Sequence, residues 1–169
     1  MVLLVPMLTD TIETLNVDET PLQWFISDAT LPVPLSGHET VVYQRNLIII
    51  GGHDGNEGRN SNKIYEVPLT SPHTRRVLNS LPQPKAWHGA ELVNDKIFIF
   101  GGGRNPGVPN DAFVVCDLLS YQCNVMSHLP YRVQGMATVC LEKKDFLLAG
   151  VDEGEEESDK VTMYDTESG

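Results

Sequence analysis

The run Leu47-Ile48-Ile49-Ile50-Gly51-Gly52 returns fifty residues later as Ile97-Phe98-Ile99-Phe100-Gly101-Gly102, and again, worn, as Phe146-Leu147-Leu148-Ala149-Gly150. Each copy follows the same signposts: Leu31-Pro32 and His38, then Leu81-Pro82 and His88, then Leu129-Pro130 and Met136. Leu-Pro begins at 31, 81 and 129, so the period is 50 and then 48, and the small-residue pair keeps those intervals. A period near fifty built from short strands points to a β-propeller, an architecture for display and binding more often than for chemistry.

Each copy divides into the same beats. A half-alternating run (Glu39 to Tyr43, Gly89 to Val93, Ala137 to Leu141) is followed by a short polar stretch (Gln44-Arg45-Asn46, Asn94-Asp95-Lys96, Glu142-Lys143-Lys144-Asp145) and then by the glycine-ended run. Two β-rich runs joined by so few polar residues read as a hairpin. The second strand is apolar without alternation, so both of its faces are expected to be covered. Loops rich in Gly, Asn, Asp and Pro (53–62, 103–110, 151–159) lead to third strands at Lys63 to Val67, Ala112 to Cys116 and Val161 to Tyr164. Fourth strands are expected near Arg75 to Leu78 and Gln122 to Met126.

The ends are out of phase with the repeat. Met1 to Leu8 reads as a second strand without its first, Ile12 to Val17 as a third and Gln23 to Ile26 as a fourth, while the chain stops where a last strand is due. The expected organisation is a single partial propeller: 1–30 a partial blade, 31–80 and 81–128 blades, and 129–169 a blade lacking its last strand. Missing sequence or another chain is expected to complete the ring, because unpaired strand edges are an aggregation liability.

The totals narrow the function. The 169 residues are 41% apolar, enough to bury a core. Twelve Lys and Arg against 23 Asp and Glu give a formal charge of −11, which argues against nucleic acid as a partner. Met1 to Leu8 is short, lacks a basic flank and contains Pro6, so it reads as neither signal peptide nor membrane span, and no membrane partner is expected. The cysteines at 116, 123 and 140 form no CxxC pair, and reduced structural thiols are the default reading, with Cys116 and Cys123 pairing across one hairpin as the alternative in an oxidising setting. No Asn-x-Ser/Thr acceptor is present, which agrees with a cytoplasmic location.

These residues resemble the kelch-repeat family, whose hallmarks are a Gly-Gly pair closing the second strand, a Tyr-Asp step about fourteen residues on and a Trp about six later. Gly51-Gly52 and Gly101-Gly102 match the pair, Gly150 keeps half of it, and Tyr65, Tyr164-Asp165 and Trp24 stand at the aromatic positions. Tyr65 lacks the following Asp, Val115-Cys116 replaces the Tyr, and Ala149 replaces the first Gly of its pair. The resemblance implies an all-β kelch-type propeller of four-stranded antiparallel blades, a ring of roughly six or seven when complete. An aromatic on the third strand and one on the fourth are expected to stack across neighbouring strands.

Meander topology puts the second-to-third and fourth-to-first loops on one face. That face collects Asp54, Arg59, Asn60, Lys85, Trp87, Arg104, Asn105, Tyr131 and Arg132, side-chain types that make binding contacts. The resemblance implies that this face binds a segment of a partner protein, as in substrate-recognition parts of cullin-type ubiquitin ligases or in actin-binding kelch proteins. The alternative it implies is an oxidase or sugar-acid isomerase with its site in the central funnel. Catalysis has no motif here: Gly51 to Gly58 lacks the Gly-Lys-Ser/Thr ending of a phosphate loop, and no Gly-x-Ser-x-Gly occurs. No cofactor or metal is expected. His38 and His88 lie in separate repeats with no third ligand and read as packing residues, and the acidic run Asp152 to Asp159 lacks EF-hand spacing and reads as a solvated loop.

Overall fold

A computed structural model describes residues 9–18, 20–105, 108–154 and 156–166. Met1 to Leu8, expected as a buried strand, lie outside the described residues. Every regular element among the described residues is a strand. β1 (Thr11–Leu15) pairs antiparallel with β2 (Trp24–Thr30). A short β3 (Leu35–Ser36) leads to β4 (Glu39–Tyr43) and β5 (Asn46–Ile50), then to β6 (His53–Asp54) and β7 (Arg59–Asn60), and on to β8 (Lys63–Pro68) and β9 (Arg76–Ser80). The next repeat supplies β10 (Gly89–Val93), β11 (Lys96–Phe100), β12 (Gly103–Asn105), β13 (Val108–Asp117) and β14 (Gln122–Val133). β15 (Ala137–Leu141), β16 (Lys144–Leu148) and β17 (Val161–Asp165) follow.

The strands pair as successive meanders, β4-β5-β8-β9, then β10-β11-β13-β14, then β15-β16-β17, all antiparallel. Successive four-stranded antiparallel meanders of this kind are the blades of a propeller. In the first and third of these meanders the opening hairpin turns on two residues of positive φ: Gln44 and Arg45 have 48° and 65°, and Glu142 and Lys143 have 50° and 65°. Paired positive φ marks the primed turn whose twist matches two antiparallel strands. Gln, Arg, Glu and Lys accept that strain without help from glycine.

The first two glycine-ended strands, β5 and β11, are buried from both sides, as their unbroken apolar composition requires, while in β16 Leu147 is buried and Phe146 and Leu148 are half-buried. Ile48 and Ile50 face β11 and β13, joining Ile97, Ile99 and Val114 in one cluster, while Ile49 faces the other way with Tyr65, Val67, Ala29 and Leu31. Phe98 and Phe100 face the third meander and pack with Phe113 and Leu147. Alternate residues of one strand thus serve two different inter-sheet cores. Each fully buried Ile or Phe contributes about 1.5–3 kcal/mol relative to exposure.

The glycine pair is the joint between successive repeats. Gly51 N–H donates to Lys63 O inside its own sheet (2.9 Å), whereas Gly52 N–H donates to Lys85 O in the segment that leads into β10 (2.8 Å). The second pair does likewise: Gly101 donates to Ala112 O (3.0 Å) and Gly102 to Val133 O, at the end of β14 where the chain enters β15 (2.8 Å). Both glycines of each pair have positive φ, and a Cβ on Gly51 would sit 2.4 Å from Lys85 O, on Gly101 2.5 Å from Val133 O. Ala149, at the corresponding place with φ 58°, is exposed.

Three expectations are corrected. β14 runs past Met126 to Val133, through Leu129-Pro130, because the register slips between Asn110 and Ala112 and lets residues 129–132 bulge from an outer edge strand, where proline is tolerated. Cys116 and Cys123 are joined in a disulfide, since the β13–β14 register places them directly opposite; Cys140 is the free cysteine. Trp24 does not stack across strands but is 66% exposed opposite Leu15, and it is Phe98, Phe100, Phe113 and Tyr164 that form a ring cluster from sheet to sheet. Tyr164 of β17 meets Phe113 of the preceding meander edge-on with centroids 4.7 Å apart.

Two outcomes test this joint and this pairing. Gly58 has φ +65° and open space within 4 Å of the place a methyl would take, so Gly58→Ala is expected to cost about 1 kcal/mol for backbone strain alone. Gly51→Ala adds the carbonyl clash and is expected to cost about 1–3 kcal/mol more in denaturant melts; equal losses would contradict the joint. Alkylation of the denatured, unreduced chain is expected to label Cys140 alone, and all three cysteines after reduction; three labels before reduction would contradict the disulfide.

Candidate functional site

The loops beyond the glycine pairs are built on buried polar side chains. Asp54 Oδ1 accepts from the amides of Asn56 (2.8 Å) and Glu57 (3.2 Å), fixing the β6–β7 turn. Asn60 Nδ2 donates to Gly103 O (3.0 Å) and Arg104 O (3.1 Å), tying β7 to the loop of the next repeat. Lys85 Nζ donates to Gly101 O (2.6 Å) and Asn110 Oδ1 (3.1 Å). Tyr131 shares a 2.7 Å hydrogen bond between its hydroxyl and Thr162 Oγ1, and its ring lies under Lys160 Nζ at 4.7 Å.

The expected contact face is therefore divided. Asp54, Asn60 and Lys85 are 5%, 6% and 2% exposed, so they do not present themselves to a partner; they hold the loops instead. Buried carbonyls at the glycine turns need donors, which Asn60 and Lys85 supply, while Asp54 accepts from loop amides. Lys85 stands where the other repeats carry the buried Leu35 and Val133. Burial lowers its ammonium to about 8, with Asp111 opposing the shift.

Arg59, Arg104 and Arg132 are exposed at the rim. Arg59 pairs with Glu57 (2.7 Å) and Arg132 with Glu153 (3.1 Å), both among exposed side chains. Surface pairs of this kind contribute little stability and leave the guanidinium available to a partner. The Asn105 side chain lies outside the described ones. A cavity of about 320 Å³ opens on this face, lined by Asp54, Glu57, Arg59, Asn60, Tyr65 and Pro84 among others. Burial, then the Asp54 carboxylate, raises the Tyr65 hydroxyl.

Trp87 is half-buried and has φ 53°, where the other two repeats place Gly37 (φ 57°) and Gly135 (φ 65°). Its backbone is pinned twice: Trp87 N–H donates to Gly37 O (2.7 Å) and Gly135 N–H donates to Trp87 O (2.7 Å). The indole occupies the space a Cβ on Gly37 would need, with Nε1 2.8 Å from it. A bulky residue held in the left-handed region is an outlier whose neighbours over-determine it. The alignment of Gly37, Trp87 and Gly135 at the repeat interval was the available signal for it.

An axial trough of about 520 Å³, which composition does not announce, runs along β4, β10 and β15 with Glu39 and Glu91 on its walls. Burial raises both carboxyls, and the Glu91 charge adds to the effect on Glu39. His38 and His88 pack their Cβ atoms against Gly52 and Gly102, where a glycine Cβ would lie 2.7 Å away in each case. His88, 1% exposed, is lowered to about 3, first by burial and then by Lys85 and His38, and so is neutral. Among the described residues no three His, Cys, Asp or Glu side chains converge on a metal position.

Comparison with known proteins agrees with the architecture. The KLHDC2/KLHL20/DRC7 Kelch-repeats domain model matches residues 7–169. Protein ral2 of Schizosaccharomyces pombe is 27% identical over 110 residues, 62% of this chain and 18% of that protein. The flagellar outer-arm dynein alpha chain of Chlamydomonas reinhardtii is 30% identical over 80 residues, 44% of this chain and 2% of that one. The solved structure of YjhT superposes with a TM-score of 0.80 at 17% identity, covering 93% of this chain and 57% of that chain. The chain thus spans less than two thirds of each of these proteins.

The buried lysine gives a pH test. Its folded value near 8 lies below the ordinary 10.5, so between those values the unfolded chain binds more protons and stability contributed at this site rises with pH. The melting temperature of the wild type, measured against Lys85→Met, is expected to gain between pH 8 and 10. Parallel curves would contradict a buried ammonium.

Proposed function

This chain belongs to the kelch-repeat family, and from that premise we propose that its loop face is a recognition surface for a segment of a partner protein. Kelch repeats generally serve protein–protein interaction. The observation that carries the reading is the division of labour on the loops: Asp54, Asn60, Lys85 and Tyr131 hold them, while Arg59, Arg104 and Arg132 stand exposed and Trp87 is half-buried. Rigid loops presenting arginine and a half-buried aromatic have the composition of a binding hot spot. Pre-fixed loops also lose little conformational entropy on association, which favours affinity from a modest contact area.

The opposite end of the strands carries the tight two-residue turns, including Arg45, and serves as an internal control surface. Affinity capture with the chain as bait, quantified by mass spectrometry, compares the wild type with Arg59→Ala/Arg104→Ala/Arg132→Ala and with Arg45→Ala/Lys96→Ala. The expected result is a protein retained by the wild type and the hairpin-end variant but reduced roughly tenfold or more by the loop variant, as loss of about 1.4 kcal/mol would give. Equal recovery by both variants, each shown folded by circular dichroism, would overturn the assignment of the face.

A further inference from the structure

Asp145 occupies a position that the repeat reserves for a core aliphatic. Its counterparts are Leu47 and Ile97, the latter fully buried, and its cross-strand partner Cys140 stands for Val42 and Leu92. Asp145 is 0% exposed, and neither carboxylate oxygen has a nitrogen or oxygen donor within hydrogen-bond distance. A carboxylate in that state is among the most expensive things a core can hold, so its presence in place of an aliphatic demands an account.

The surroundings are those of a seam between sheets. Asp145 and Leu147 alternate on the face of β16 that packs on the preceding meander, where Leu147 joins Phe98, Phe100 and Phe113. From β10, Glu91 faces it; from β15, Cys140 and Thr138; from β17, Tyr164. Thr138 Oγ1 donates to Ala90 O across the same seam (3.4 Å). Lys96, Asp117 and Lys143 stand further out, around a cavity of about 270 Å³ at the hairpin end. Burial is what raises the Asp145 carboxyl, with the Cys140 thiol opposing; burial also raises Glu91, with Asp145 adding to it. Cys140 is pushed up to about 11 by burial and by Asp145, so it stays a neutral thiol.

We propose that the Asp145–Glu91 pair makes the seam between β10–β11 and β15–β17 a pH-dependent joint, closed when a proton is held there and loosened when both carboxylates ionise. The sign follows from linkage: a carboxyl raised in the folded state binds protons that the unfolded chain has lost, so stability falls as pH rises above the ordinary carboxylate range and levels off above the folded value. Because β17 and the 151–160 loop belong to this meander, the joint also governs how Tyr131 and Arg132 meet Thr162 and Glu153.

Peptide-resolved hydrogen exchange on the whole chain, corrected for intrinsic rates, tests this between pH 4.5 and 8. In the wild type, protection of β15–β17 is expected to fall severalfold relative to β4–β9 across that range. Asp145→Leu, which restores the repeat residue, and Asp145→Asn, which keeps the shape, are both expected to flatten that response. Either a pH-independent wild type or an unaltered response in both variants would overturn the joint.

Discussion

One backbone hydrogen bond, repeated, governs this structure: the amide of the second glycine in each pair reaches a carbonyl of the segment that leads into the next repeat, from Gly52 to Lys85 and from Gly102 to Val133. For that bond to form, the chain must leave a fully buried strand in the left-handed region and allow a carbonyl to approach where a side chain would stand. Only glycine satisfies both demands at Gly51 and Gly101. The His38 and His88 side chains close the other side of the turn, over Gly52 and Gly102. Sheet-to-sheet distance, the two-faced burial of the isoleucine and phenylalanine strands, and the place where each loop emerges all follow from this joint.

The same joint explains why so many polar groups are buried under the loop face. A strand that ends in an abrupt turn leaves carbonyls pointing into the interface, and each requires a donor. Lys85 on Gly101 O and Asn60 on Gly103 O supply them, at the cost of burying an ammonium. The result is rigidity at the surface, where Arg59, Arg104, Arg132 and Trp87 are displayed. Asp145 is the contrasting case, a buried carboxyl with no nitrogen or oxygen donor on its oxygens, and it sits in the seam between β10–β11 and β15–β17.

Much of this was legible in the sequence because its signals are local and repeated. The period of 50 and 48, the short polar turns and the unbroken apolar strands led directly to β4, β5, β10, β11, β15 and β16. What escaped depended on register or on the third dimension. The bulge in β14 arises from a slip no composition marks, and the Cys116–Cys123 pairing depends on that same strand's alignment. Lys85, Asp54 and Asn60 have the chemistry of surface residues, and nothing in their type says that they serve buried backbone groups. Alignment of the repeats against one another would have shown Lys85 for Leu35, Asp145 for Ile97 and Trp87 for Gly37, three substitutions that each mark a place where structure departs from the pattern.

The dependence on the glycine joint is open to direct observation by nuclear magnetic resonance, through scalar coupling across a hydrogen bond. The account predicts measurable coupling from the Gly52 amide nitrogen to the Lys85 carbonyl carbon and from Gly102 to Val133, alongside the in-sheet couplings from Gly51 to Lys63 and from Gly101 to Ala112. Detection of the Gly51 and Gly101 couplings with the Gly52 and Gly102 couplings absent would contradict it.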